Sequence, residues 1–279
     1  MTSSFAAAVT TYDAAAQPQR LAAMQLVAEA HRCITAGESC SADVLPTCLL
    51  DLGCGTGLAT RLWLDQLQAS GQPVPDQVLL VDQAAAMVER ARAVVAERHG
   101  AVTGLVLDAF QPEAVAVLAP QLPLNGSRLL LSSYALQWSP TPLTVLQQVW
   151  APWLRAGDWL ALAVPDAGSF QVLRRALAAA ELPSHLLKLP DQEALSGPVA
   201  QRALASQFLW VAGGSFANGV PVPSALAYLR HFALIGARPQ RSPYSRIQLV
   251  RLRRCLDQQL SVGTAELDYH STWMLLRRR

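Results

Sequence analysis

The chain has 279 residues, of which 52% are hydrophobic and 15% charged, and its formal net charge is +2. That length suits one large α/β domain, able to bury a core without a disulfide or metal, and the near-neutral charge gives no electrostatic reason to expect nucleic acid. The uncharged runs 129–154 and 203–229 are broken by Pro, Ser and Gln, so no membrane span is expected. Residues 1–30 lack the basic start and apolar core of a secretory signal, which points to the cytoplasm.

Taken in order, the chain alternates. Residues 1–32 open on Ser, Thr and Ala and then read as a helix with a partial apolar face at Leu21, Met24, Leu26 and Val27, with Pro18 near its first turn. Residues 35–47 read as a loop and 49–52 as a first strand, and a helix follows from 58 to about 67. Strands are expected at 77–82, 102–107 and 128–133, with a helix at 84–98 after the second. Residues 143–154 read as a helix with Gly157 as its C-cap, and 158–164 as a fifth strand stopped by Pro165. Beyond Pro165 the reading is a helix at 170–182, a short helix within 186–197, a strand at 206–212, a helix at 224–235 ending at Gly236, a basic helix at 242–260 and a last strand at 267–276. This is the pattern of a doubly wound, mostly parallel seven-stranded sheet, which binds ligands beyond the carboxyl ends of its strands. Five cysteines, none in a Cys-x-x-Cys pair, argue against a disulfide framework or a zinc site, and no metal is expected.

The stretch Leu49-Leu50-Asp51-Leu52-Gly53-Cys54-Gly55-Thr56-Gly57 carries the chemistry. Side chains at Gly53, Gly55 or Gly57 would obstruct a positive-φ turn or the approach of backbone to ligand, and the helix behind them offers free N–H groups. Cys54 reads as a small residue lining this loop. The spacing departs from the G-x-G-x-x-G of dinucleotide loops, and an acid stands two residues before the first glycine. Asp51 can accept from an ammonium, which a nicotinamide dinucleotide lacks and S-adenosylmethionine carries. The stretch resembles the first motif of the class I S-adenosylmethionine-dependent methyltransferases.

The other candidates sit at strand ends. Asp82, with Gln83 beside it, closes the second strand 25 residues after Gly57 and suits the ribose hydroxyls. Met87 either packs on the adenine or fills the core. Asp108-Ala109-Phe110 either contacts the adenine or caps the helix after Pro112. Ser132, Tyr134, Gln137 and Trp138 follow the fourth strand, where that fold faces the methyl group, and Tyr134 and Trp138 either shape the site near the sulfonium or are partly buried amphipathic residues.

Further segments narrow the resemblance. Tyr12-Asp13-x-x-Ala16-x-x-Gln19-Arg20, Val81-Asp82 with Met87, Ala135-Leu136-Gln137-Trp138, Gly168-Ser169-Phe170 with Leu173-Arg174, Leu229-Arg230-His231 with Ile235-Gly236-Ala237, and Leu267-Asp268-Tyr269 occur in this order. Together they resemble the malonyl-acyl-carrier-protein O-methyltransferases of biotin synthesis, over nearly the whole chain. Ala233 stands where a Lys is expected in relatives.

The resemblance implies a single, monomeric methyltransferase domain over 1–279, with lid segments at about 166–187 and 220–260. It implies S-adenosyl-L-methionine as methyl donor and malonyl-acyl-carrier protein as substrate, with no nucleic acid or membrane as partner. Tyr12 would fold over the cofactor, exclude water and touch the substrate carboxylate. Arg174 would clamp that carboxylate, unless Arg175 takes the role, and His185 and His231 could flank it. Arg246, Arg251, Arg253 and Arg254 form either a docking face for the acidic carrier or a solvated helix face. The rival functions are methylation of another small carboxylate, nicotinamide-dependent redox chemistry, and non-catalytic S-adenosylmethionine binding in an assembly.

Overall fold

The computed structural model describes residues 2–35, 45–237, 242–263 and 265–279, with the backbone alone for 2–8. Most of the loop expected at 35–47, with Cys40, and positions 238–241 of the expected lid lie outside the described residues.

The elements in order are α1 (Thr2–Ala15), α2 (Gln17–Thr35), β1 (Cys48–Leu52), α3 (Leu58–Ala69), β2 (Gln77–Asp82), α4 (Ala85–Ala96), β3 (Val102–Val106), α5 (Ala114–Leu118), β4 (Arg128–Ser133), α6 (Pro142–Thr144), β5 (Trp159–Pro165), α7 (Gln171–Ala179), α8 (Gln192–Ser196), α9 (Pro198–Leu204), β6 (Phe208–Ala217), β7 (Val220–Pro221), α10 (Ala225–Leu234), α11 (Arg246–Val262), β8 (Glu266–Leu267) and β9 (His270–Arg278). Seven strands form one sheet in the order β3-β2-β1-β4-β5-β9-β6, and β7 pairs with β8 apart from it. Strands β1 to β5 are mutually parallel, whereas β9 runs antiparallel between β5 and β6. The order reverses at β1 and β4, so the crevice at their carboxyl ends is where such a sheet binds ligands.

The central strands are near-continuous apolar runs because both faces are covered. Successive side chains alternate between two cores. Leu50, Leu52, Leu79, Val81, Leu130 and Leu160 enter one. Leu49, Val78, Leu80, Leu129, Leu131 and Ala161 enter the other, against Trp63 and Leu67 of α3 and Leu26 of α2. A third cluster, with Leu173 and Leu177 of α7, Tyr228 of α10, Leu252 and Leu256 of α11 and Tyr269, forms the helical layer above the strand ends.

Several elements differ from the sequence reading. The N-terminal helix is two helices meeting at Ala16, with Pro18 in the first turn of α2. The helix expected at 143–154 is irregular: α6 passes into a π stretch, Val145–Trp150, and a 3-10 turn, Ala151–Trp153. Pro152 has no N–H to give the Gln148 carbonyl, so regular α pairing stops there. Leu154, extended, is the C-cap, and Gly157 instead turns the chain into β5, its N–H donating to the Arg278 carbonyl at 2.8 Å. Strand β6 runs on through Gly213 and Gly214, which pair with Met274 and Trp273 of β9. Helix α11 begins at Arg246, where Ser245 and Gln248 form a reciprocal capping box. Helix α9 and the β7–β8 pair were not anticipated.

Candidate functional site

The loop after β1 is pulled toward β2. The N–H groups of Gly53 and Cys54 both donate to the Val81 carbonyl, at 2.8 and 2.9 Å. Gly53 has φ +72, and a Cβ there would lie 2.2 Å from the Cβ of Ala135. Gly57 has φ +82 and packs on Ala91 and Val95 of α4 rather than lining the cleft. The two carboxylates flanking the loop are held differently. Asp51 is 1% exposed and accepts from the Thr60 hydroxyl at 2.6 Å. Burial pushes its carboxyl up to about 7, against the lowering effect of the Thr60 hydrogen bonds. Asp82 accepts from the Gly55 N–H at 3.0 Å and the Ala84 N–H at 2.9 Å, and burial raises its pKa as well. The Gln83 N–H also bonds this carboxylate, so of its roughly four lone-pair sites one remains for a ligand.

A cleft at the carboxyl ends of β1 to β3 brings together most of the residues singled out above. Asp51, Gly53, Cys54 and Gly55 line one end. Asp82, Gln83 and Met87 line its middle wall, and Asp108, Ala109 and Phe110 complete it from β3. Asp108 also holds its own turn, accepting from the Phe110 N–H at 3.0 Å. The Trp150 indole fixes that turn from behind by donating to the Ala109 carbonyl at 2.8 Å. Burial raises the Cys54 thiol well above its ordinary pKa, which suits a small wall residue. Ser132 does not line the cleft. Its hydroxyl donates to the Leu52 carbonyl and ties β4 to β1.

A second cavity, about 540 Å³, lies between the cleft and the helical layer. Its wall is largely apolar, with Leu173, Leu177, Leu189, Phe232, Leu249 and Leu252 from that layer. The cleft and this cavity share four wall residues: Tyr12, Gln19, Tyr134 and Trp138. Gln137 lines only the second, donating to the Tyr134 carbonyl at 2.6 Å.

Tyr134 sits at φ 59, uncommon for a residue with a Cβ. A buried hydrogen-bond ring holds it. Ser271 donates to Asn218 Oδ1 at 2.9 Å, so the Tyr134 hydroxyl gives its proton to Ser271 Oγ at 2.6 Å and accepts from Asn218 Nδ2 at 2.8 Å. The second Asn218 N–H goes to the Pro18 carbonyl at 2.8 Å, which anchors the start of α2 beside the shared wall. Replacing Asn218 by Leu should strand several buried polar groups at once and cost about 3 kcal/mol of stability. A urea midpoint unchanged from the parent would refute that reading.

The remaining candidates separate. Arg174 lines neither cavity, and its Nε donates to the Ser169 carbonyl at 3.5 Å. Helix α7 turns Leu173 and Leu177 to the cavity, and Arg174 lies about 100° round from Leu173. Arg230 and Arg253 are the guanidinium residues in that wall. His185 lines it too, whereas His231 is buried, its Nε2 2.9 Å from the Tyr269 hydroxyl and its pKa lowered to about 4 chiefly by burial. On α11, Arg246, Arg251, Arg253 and Arg254 are all exposed; Arg251 pairs with Glu181 and Arg253 with Asp257. The sequence reading assigned no site role to Gln19 or to Asp13, whose carboxylate accepts from Thr56 at 2.6 Å and pairs with Arg90. Both stand in the Tyr12–Arg20 segment, the one signal that pointed to them. Among the described residues there is no metal-holding cluster of three or more His, Cys, Asp or Glu, and no helix long and apolar enough to cross a membrane.

No family model and no curated protein matches the chain. Solved structures do. A presumed methyltransferase from Bacillus halodurans is 14% identical over 90% of this chain and 97% of its own, with TM-score 0.55. An S-adenosylmethionine-dependent methyltransferase from Anabaena variabilis is 15% identical over 84% of this chain and 77% of its own, with TM-score 0.50. The chain thus has the Rossmann-like fold of the class I S-adenosylmethionine-dependent methyltransferases.

Proposed function

We propose that the protein is an S-adenosylmethionine-dependent carboxyl O-methyltransferase. Its acceptor in this reading is the free carboxylate of malonyl-acyl-carrier protein, in biotin synthesis. The residues fit the cofactor: the glycine loop leaves no room for a Cβ at Gly53, and a buried acceptor, Gln19 Oε1, has no partner among the described residues. Asp51 would hold the amino-acid end, Asp82 the ribose, and Met87 with Asp108, Ala109 and Phe110 the adenine. Bound S-adenosylmethionine supplies an activated methyl group.

The observation that carries the choice of acceptor is the wall shared by cleft and cavity, whose described residues include no imidazole or carboxylate, which favours an acceptor that needs no base beside the methyl group. The wall's residues are Tyr12, Gln19, Tyr134 and Trp138. Burial raises both tyrosine hydroxyls, and the Tyr134 proton is committed to Ser271. An acceptor that arrives already ionised needs no base, and a carboxylate with a pKa near 4 is ionised at pH 7. What remains for the chain is to align the reacting groups and keep water out, and alignment alone can contribute about 7–11 kcal/mol. In this reading Tyr12, Trp138 and the apolar layer serve that end, and Arg230, which lines the cavity wall, would meet the anionic substrate. The size and apolar lining of the second cavity favour a second reading, a carboxylate on a longer apolar chain, because a malonyl group fills only part of it.

The test is transfer of labelled methyl to malonyl and succinyl thioesters, longer-chain acids and free malonate, side by side. Ester formed on malonyl-carrier protein supports the first reading; ester formed only on longer chains supports the second; none on any carboxylate refutes both. Reversing Arg246 and Arg254 to Glu should weaken malonyl-carrier protein at least tenfold more than malonyl-coenzyme A at low salt, with the gap closing as salt screens the charges. Equal losses on the two thioesters would remove α11 as the docking face.

A further inference from the structure

We infer that Gln19 is a cofactor ligand whose side-chain carbonyl accepts a hydrogen bond from the α-ammonium of S-adenosylmethionine. The inference rests on the carboxylate-acceptor reading above. Gln19 is 6% exposed, lies on the wall shared by the two cavities, and its Oε1 is buried with no partner among the described residues. A buried amide oxygen left unpaired is costly, so the site asks for a donor there.

The orientation of the amide follows from its neighbours. His231 is neutral, with its pKa lowered to about 4 by burial, and its imidazole hydrogen-bonds the Ala15 carbonyl, which takes an N–H. A neutral imidazole has one N–H, so its Nε2 accepts from the Tyr269 hydroxyl 2.9 Å away. The Tyr269 oxygen is then left to accept from the Gln19 amide, which hydrogen-bonds it. Gln19 Nε2 is thereby committed, and Oε1 is the atom offered to a ligand.

The donor's identity follows from chemistry. An ionised carboxylate acceptor carries no proton, so it cannot satisfy Oε1. The cofactor's ammonium carries three. Asp51, on the same cleft, accepts from the Thr60 hydroxyl and backbone N–H, which leaves lone-pair sites on its carboxylate for one of those protons. Gln19 Oε1 takes a second, which makes the ammonium site two acceptors from different ends of the fold, one on β1 and one on α2.

The test is calorimetric binding of S-adenosylhomocysteine and of its deaminated analogue to the 279-residue chain. Gln19→Met keeps the bulk and removes the acceptor. It should weaken S-adenosylhomocysteine by about tenfold or more and leave the deaminated analogue as in the parent. Tyr269→Phe keeps the acceptor but frees the amide to turn over, and should weaken S-adenosylhomocysteine by a smaller factor with the same selectivity; this arm decides the matter if Gln19→Met does not fold. Equal loss of both ligands would make Gln19 a packing residue and overturn the assignment. Unchanged S-adenosylhomocysteine binding with a raised KM for acceptor would also overturn it, by placing Oε1 on the substrate. Failure of the functional reading shows separately, as a parent chain that binds S-adenosylhomocysteine and esterifies no carboxylate.

Discussion

Affinity for S-adenosylmethionine should rise about 50-fold between pH 5 and pH 7. The cause is Asp51, whose burial pushes its carboxyl up to about 7 in the ligand-free protein. Below that pH the group is protonated, and it must lose the proton before it can pair with an ammonium. The α-amino group keeps its charge over this window, since its own pKa is near 8. Each unit below about 7 therefore costs about tenfold in affinity, and binding at pH 5 should release close to one proton. Calorimetry in two buffers of different ionisation enthalpy reads both quantities. Asp51→Asn cannot titrate, so it should bind weakly at all pH values and lose the slope. The same raised pKa has the opposite sign for folding. Between about pH 4 and 7 the unfolded chain has released this proton and the native chain has not, so the ligand-free protein loses stability from this group as pH rises. An affinity independent of pH in the parent would sink the pairing of Asp51 with the ammonium.

Much of the sheet and the cleft was legible because local chemistry and tertiary role coincide there. Strands β1, β2 and β4 are apolar runs bounded by Asp, Gly or Pro, and the sheet needs such runs because both of its faces are covered. Asp51, Asp82 and Asp108 stand at strand ends, and a doubly wound sheet puts strand ends at its ligand crevice. What was not legible depends on partners far away in sequence. Nothing local shows that Gly213 and Gly214 stay in β6; the ladder with β9 keeps them there. The ring of Tyr134, Asn218 and Ser271 joins three segments that share no pattern. Arg174 shows the limit of spacing within one helix, because one residue of rotation puts Leu173 at the cavity and the guanidinium beside Ser169. Gln19 was visible only as a letter in the Tyr12–Arg20 segment. Its weight came from burial and from an oxygen with no partner among the described residues.

Gly53→Ala should lower cofactor affinity by roughly two orders of magnitude while leaving the chain folded. Two costs combine at this position. The backbone is left-handed, φ +72, which costs a residue with a Cβ about 1–2 kcal/mol. The new Cβ would also stand 2.2 Å from the Cβ of Ala135, a separation no real pair of carbons tolerates, so one of two loops must move. If the glycine loop moves, the hydrogen bonds from Gly53 and Cys54 to Val81, and from Gly55 to Asp82, are strained together. If the 135 loop moves, Tyr134 and Trp138 shift at the wall between the two cavities. Either displacement of about 1 Å spoils alignment at the cleft, whereas the sheet core behind it is untouched. Gly71→Ala is the control. That glycine also has a left-handed φ, +66, but nothing lies within 4 Å of its added Cβ, so it carries the backbone cost without the collision. Urea denaturation should find Gly71→Ala destabilised by about 1 kcal/mol with cofactor affinity unchanged, and Gly53→Ala destabilised further with affinity lost. Equal affinities in the two variants would show that the approach of Ala135 to Gly53 has no part in shaping the cleft.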